Sequence, residues 1–132
     1  YTVGYRSVVG PANEWFVAAR LEFQLMTRVG DDDLRQMLAR RKESQPIGEW
    51  TCGSVFTNPP DRHAGQLIDS AGLKGLTVGG ASVSGKHANF IINNGSASGA
   101  DIERLISQVQ AAVERAHGVR LEPEVRILGE PK

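Results

Sequence analysis

The residues from Thr51 to Pro60 crowd small, polar and ring-restricted types into one decade, with Cys52, Gly53, Ser54, Thr57 and Asn58 leading into Pro59-Pro60. Gly53 permits backbone angles closed to other residues, so the neighbouring Ser54 hydroxyl is expected at a tight bend rather than on a regular element. Asn58 precedes a proline and is pushed toward extended geometry. A plain connecting loop of turn-favouring residues has the same composition, so the meaning of this decade depends on its partners. Glu122 and Glu124 flank Pro123 and offer paired carboxylates for acid–base work, although two glutamates at the start of a strand are usually just solvated. Tyr5-Arg6 sets an aromatic ring beside a planar, bidentate cation suited to grip a carboxylate. Lys86-His87 can bind an anion or simply solubilise a loop.

The elements that must carry these residues follow from periodicity. From Trp15 to Met26, alternation of Trp15, Val17, Ala19, Leu21, Phe23 and Leu25 with polar neighbours predicts a half-buried strand. After Gly30, Asp31 or Asp32 is expected to cap a helix with Leu34, Met37 and Leu38 at helical spacing, ending in the solvated basic cluster Arg40-Arg41-Lys42. Residues 44–48 read as loop. His63 to Ser70 predicts a short helix closed by Gly72. Short strands are expected around 76–78 and 81–83, and an inner strand over 88–93. The longest pattern runs through Ile102, Leu105, Ile106, Val109, Ala112, Val113 and Ala116, an amphipathic helix with a Ser98/Asp101 capping box and a His117-Gly118 stop. Val125 and Ile127 suggest a final strand within 121–128. Together these imply an α+β fold, with helices packed on a small, mainly antiparallel sheet.

The chain of 132 residues is one domain's worth of core, short for an enzyme that must hold a large cofactor and a substrate together. Fifteen basic residues balance fifteen acidic ones, so bulk electrostatics propose neither nucleic acid nor an anionic membrane as partner. Any anionic ligand must be held by a local cluster. Cys52 is the single cysteine, which excludes an internal disulfide and fits a reducing, cytoplasmic compartment. No apolar run reaches membrane-spanning length and no signal-peptide pattern opens the chain. The three histidines, His63, His87 and His117, lack the spacing of a metal site, so no metal is expected. The glycines between Gly72 and Gly85 match neither the dinucleotide nor the P-loop pattern.

Taken in order, Gly4-Tyr5-Arg6, Arg40-Arg41 with Gln45-Pro46, Gly53-Ser54-Val55-Phe56 with Asn58-Pro59, Ala64-Gly65-Gln66-Leu67-Ile68, Gly72-Leu73-Lys74-Gly75, His87-Ala88-Asn89-Phe90 with Asn93, and Leu121-Glu122-Pro123-Glu124-Val125-Arg126 resemble the UDP-N-acetylenolpyruvoylglucosamine reductase family across nearly the whole chain. The short connection between Met26 and Asp31 resembles the branch without an extra tyrosine-bearing loop. Ser7 directly after Arg6, and Ser44 where members often carry lysine, depart from the family pattern; Lys42 is the nearby cation that would substitute.

The resemblance implies a flavoenzyme of peptidoglycan precursor synthesis. Such an enzyme uses NADPH and FAD to reduce UDP-N-acetylglucosamine enolpyruvate to UDP-N-acetylmuramate. By motif match the implied catalytic residues are Ser54 as proton donor, with Arg6 and Glu124, while Tyr5, Asn58 and Lys86 would contact substrate. It further implies that residues 1–28 are the tail of an FAD-binding region and 29–132 a substrate-binding domain. The flavin-binding loops would then lie in a part of the enzyme outside this chain, and the isolated chain is expected to be inactive. The competing expectation is a non-catalytic module of the same fold that binds a UDP-sugar or another anion.

Overall fold

Ser98 starts the longest helix, α3 (Gly99–His117), and the reason is local: its hydroxyl accepts from the Asp101 amide at 3.1 Å, and the Asp101 carboxylate accepts from the Ser98 amide at 3.0 Å. Two donors left over at the helix start are thereby satisfied. Arg104 pairs with the same carboxylate from one turn along. Gly118 closes the helix in the left-handed region at φ 65, as the sequence predicts. Leu105, Ile106, Val109 and Val113 are buried along one face.

The computed structural model describes residues 1–24 and 30–129, with the side chain of Asp31 outside that set. The chain divides into two compact units, Tyr1–Gly30 and Asp31–Lys132. In the second, the elements run α1 (Asp31–Ser44), β3 (Trp50–Ser54), α2 (Ala64–Ser70), β4 (Thr77–Val78), β5 (Ala81–Val83), β6 (Phe90–Asn93) and α3; the first holds β1 (Thr2–Gly4) and β2 (Ser7–Val9). The sheet order β3-β6-β5-β4 makes β6 an inner strand, and every pairing is antiparallel. The α+β expectation is therefore met. Ala81, Val83 and Ile91 from the sheet join Ala64, Leu67 and Ile68 of α2, the α3 stripe, and Val55, Phe56 and Leu121 in one buried core. Burying side chains of this kind is worth about 1.5–3 kcal/mol each relative to exposure.

Two expected strands are corrected. Trp15 to Gln24 carries no strand among the described residues, and both sets of its side chains are exposed, Val17 at 99%. A strand needs a neighbour to satisfy its amides, and among the described residues of this unit β1 and β2 pair only with each other. Leu25 and Met26, the rest of that prediction, lie outside the described residues. The final strand is likewise reduced to one isolated antiparallel bridge, Phe56 to Pro123. Pro123 has no amide to donate, and the chain bends at Val125. α1 forms where expected, but Leu34, Met37 and Leu38 are exposed. α2 begins one residue later than expected, with His63 as its N-cap.

Candidate active site

Ser54 ends β3 instead of sitting at a free bend, a correction to the sequence reading. Its placement comes from an irregularity in the ladder: Thr51 pairs with Ile92 and Ser54 with Phe90. Three steps along β3 therefore match two along β6. The extra residue forms a β-bulge, and Gly53 within it has φ 84. Strict alternation would place Ser54 on the face of Trp50 and Cys52. The bulge instead sets it on the face of Thr51, across from Phe90. A Cβ built on Gly53 would meet nothing within 4 Å, so the glycine is required by its backbone angle and not by crowding.

Ser54 opens into a polar cleft of about 440 Å³ that also receives Asn58, Lys86, His87 and Asn89, with Gly65, Gln66 and Asp69 of α2. Three of the expected site residues, Ser54, Asn58 and Lys86, thus share one cavity. Asn58 turns its carboxamide oxygen to the Ala64 amide at 3.0 Å, serving the start of α2. Lys86 reaches the Lys42 carbonyl at 3.1 Å in the last turn of α1, where a helix leaves carbonyls over. Arg40, Arg41 and Lys42 are exposed at this helix end, in keeping with the reading of the cluster as solvated charge, and Arg41 Nε donates to Gln45 Oε1 at 3.3 Å.

Glu124 is half-buried and tied to the same segment by its backbone. Its amide donates to the Val55 carbonyl at 2.8 Å, and the Thr57 amide donates to the Glu122 carbonyl at 2.9 Å. Tyr5 and Arg6 belong to the first unit. They form the two-residue connection between β1 and β2, with Arg6 at φ 53 and its guanidinium 5.8 Å from the Tyr5 ring centroid. A non-glycine residue held at positive φ costs free energy and is more common at functional positions.

The cleft also brings in His87, which the sequence sets beside Lys86, together with Lys74 and Gly65. His87 packs edge-on against Phe90 with ring centroids 4.9 Å apart, and its Nδ1 accepts from the Asn89 amide at 3.2 Å. Burial, with a smaller contribution from the charge on Lys74, pushes the His87 pKa below its ordinary value. The imidazole is therefore neutral near pH 7, and the positive charge facing the cleft comes from Lys74 and Lys86. Lys74 is itself paired with Asp69 at 2.7 Å. A Cβ on Gly65 would lie 3.1 Å from His87 Cε1; a glycine inside a helical pattern is the one sequence signal that such close packing leaves.

A second cleft of about 470 Å³ is lined by Trp50, Cys52, Ile91, Ile102, Ile106 and Leu128, among others. Cys52 faces this apolar groove, and burial raises its thiol pKa. Among the described residues no cluster of histidine, cysteine and carboxylate side chains could hold a metal ion.

Residues 45–128 match the family model described as UDP-N-acetylenolpyruvoylglucosamine reductase, C-terminal domain. The chain is 56% identical to the reductase of that name from Alkalilimnicola ehrlichii, over 98% of this chain and 44% of the relative. It is also 56% identical to that from Methylococcus capsulatus, over 98% and 43%. The crystal structure of UDP-N-acetylenolpyruvylglucosamine reductase from Thermus caldophilus superposes with a TM-score of 0.56 at 40% identity, covering 70% of this chain and 34% of the other. The chain spans less than half the length of the curated relatives it matches. With its antiparallel sheet, packed helices and serine-bearing bulge accounted for, the chain belongs to the UDP-N-acetylenolpyruvoylglucosamine reductase family and contains the family's C-terminal domain.

Proposed function

We propose that this chain supplies the substrate-binding domain and proton donor of a reductase that converts UDP-N-acetylglucosamine enolpyruvate to UDP-N-acetylmuramate for peptidoglycan synthesis. In this reading residues 1–28 are the tail of the FAD-binding region and 29–132 the substrate domain. FAD, when bound and reduced by NADPH, would supply the hydride for the terminal alkene carbon. The electron pair of the double bond then moves to the neighbouring carbon and its carboxylate. Ser54 gives its hydroxyl proton to that carbon, and its alkoxide recovers a proton from solvent. A serine is a weak acid in water, so the step needs a strongly basic carbanion in a preorganised site. Arg6 grips the substrate carboxylate through its planar fork. Glu124 completes the catalytic set with Ser54 and Arg6. Tyr5, Asn58 and Lys86 hold the UDP-sugar, the lysine by charge on the diphosphate.

A Cβ built on Gly53 would meet nothing within 4 Å, and this open space supports approach of the flavin to the backbone next to Ser54. In this reading the groups that grip the rest of FAD belong to the portion of the relatives beyond the match. No helix among the described residues is long and apolar enough to cross a membrane, and we place the reaction in the cytoplasm, where nucleotide-linked precursors and NADPH are available.

The observation that carries the proposal is the bulge at Gly53, which delivers Ser54 to the polar cleft shared with Asn58 and Lys86. The test is Ser54→Ala in the complete reductase, with the two half-reactions followed separately by flavin absorbance. Reduction by NADPH should proceed as in the parent, while reoxidation by the UDP-sugar should stop. Equal loss of both would assign Ser54 to the fold instead.

A further inference from the structure

We infer that Asn89 is a positioning residue for the proton donor, its side-chain amide standing in for a peptide unit at the point where β6 runs out. This rests on the role proposed above for Ser54. β6 begins at Phe90, opposite Ser54. Beyond that pair, the Asn89 carbonyl accepts from the Val55 amide at 2.9 Å. The Asn89 side chain then carries the ladder one residue further: its Oδ1 accepts from the Phe56 amide at 3.0 Å, and its Nδ2 donates to the Phe56 carbonyl at 2.8 Å. A carboxamide has the same donor and acceptor as a peptide group, so it can pair with both backbone groups of one residue.

The site gives those bonds weight. Asn89 is 4% exposed and Phe56 2%, so neither partner can turn to water if the other is lost. The opposite edge of the same two-residue segment holds the glutamate, because the Val55 carbonyl accepts from the Glu124 amide at 2.8 Å and from the Val125 amide at 3.4 Å. Val55-Phe56 is thus clamped between Asn89 on one side and residues 122–125 on the other. Ser54 is covalently attached to this segment and Glu124 is hydrogen-bonded to it. Asn89 therefore sets the distance between the two groups without touching substrate. Its Nδ2, occupied by the Phe56 carbonyl, serves the backbone and not the ligand.

The test uses the complete reductase with two variants. Asn89→Leu keeps the approximate volume and removes both bonds; Asn89→Asp keeps the acceptor for the Phe56 amide but sets an oxygen against the Phe56 carbonyl. Each should slow flavin reoxidation by the UDP-sugar on the order of ten- to a hundredfold, the scale expected when a reacting group is displaced by a fraction of an ångström to an ångström. Flavin reduction by NADPH and the KM for the UDP-sugar should change little. In a Ser54→Ala background, Asn89→Leu should add no further loss, since the group it positions is gone. Losses that multiply in that background, equal slowing of both half-reactions, or failure of both variants to fold would overturn the inference and leave Asn89 a core residue only. Ser54→Ala alone separates the two claims: full activity removes the role of Ser54 itself, whereas a blocked Ser54→Ala beside fully active Asn89 variants removes only the positioning.

Discussion

Two clefts of similar volume, about 470 and 440 Å³, use β3 as part of their walls, yet they have opposite chemistry. Trp50 and Cys52 face an apolar groove with Ile102 and Ile106 of α3. Ser54, two residues on, faces a cleft with Lys74, Lys86, the two histidines His63 and His87, and Asn58. An unbroken strand would put all three side chains on one face. One inserted residue separates them, so the bulge at Gly53 divides the wall that packs from the wall proposed to react.

The division can be attacked at several points. The largest effect is expected at the polar wall, where Ser54→Ala should lower turnover by about two to four orders of magnitude, the range for a lost proton donor. Steady-state and half-reaction kinetics would show it; a loss below tenfold would remove the serine from the chemistry. Next is the bulge itself. Gly53→Ala meets no atom but must hold φ 84, at a cost of about 1–2 kcal/mol. Reoxidation by the UDP-sugar should slow on the order of tenfold or more as Ser54 shifts, with a modest fall in thermal midpoint.

The apolar wall should respond in stability and not in rate. Ile106 is buried, and Ile106→Ala should cost about 2–5 kcal/mol in denaturant unfolding, while the variant that remains folded turns over near the parent rate. A large kcat loss there would erase the contrast between the clefts. Smaller again is the acid dependence of α3. Asp101 is held down to about 2 from 3.8 by its hydrogen bonds to the Ser98 amide and hydroxyl and to Arg104. Its folded pKa is the lower one, so its contribution is complete above the ordinary value and is lost as pH falls toward about 2. Asp101→Asn should flatten this part of a thermal-midpoint profile taken from pH 5 downward. His87 behaves with the same sign: its folded pKa lies below the ordinary 6.5, so the stability tied to its neutral form is lost as pH drops below that value. The least effect is expected at Cys52. Cys52→Ala should leave turnover within about twofold, and the raised thiol pKa predicts slow alkylation near neutral pH.

The α3 helix is fully legible in the chain because every signal is local: apolar residues at spacings of three and four, a capping box closed within four residues, and a glycine at the stop. The short strands and α2 are readable for the same reason. The segment from Trp15 shows the limit. Its alternation is as clear as any in the chain, yet strand structure also needs a neighbour, which sequence pattern alone does not supply. Residues 121–128 fail differently, since Pro123 permits one bridge and the bend at Val125 ends it.

The candidate site divides along the same line. Ser54, Asn58, Lys86, Arg6, Tyr5 and Glu124 could be nominated from residue types and ordered motifs, because donors, cations and carboxylates are properties of single side chains. The face that Ser54 occupies could not, because it depends on a count of residues between two pairs in a ladder that only folding creates. Nor could the role of Asn89, whose two side-chain bonds reach across 33 positions to Phe56. By itself the sequence determined the helices, the inventory of reactive groups and the glycine that makes a bulge possible, all set by steric and periodic rules acting over a few residues. Only the tertiary structure decided which groups share a cleft and at what separation, because those are pairings between segments far apart in the chain, which meet only through the shared core of α2, α3 and the sheet.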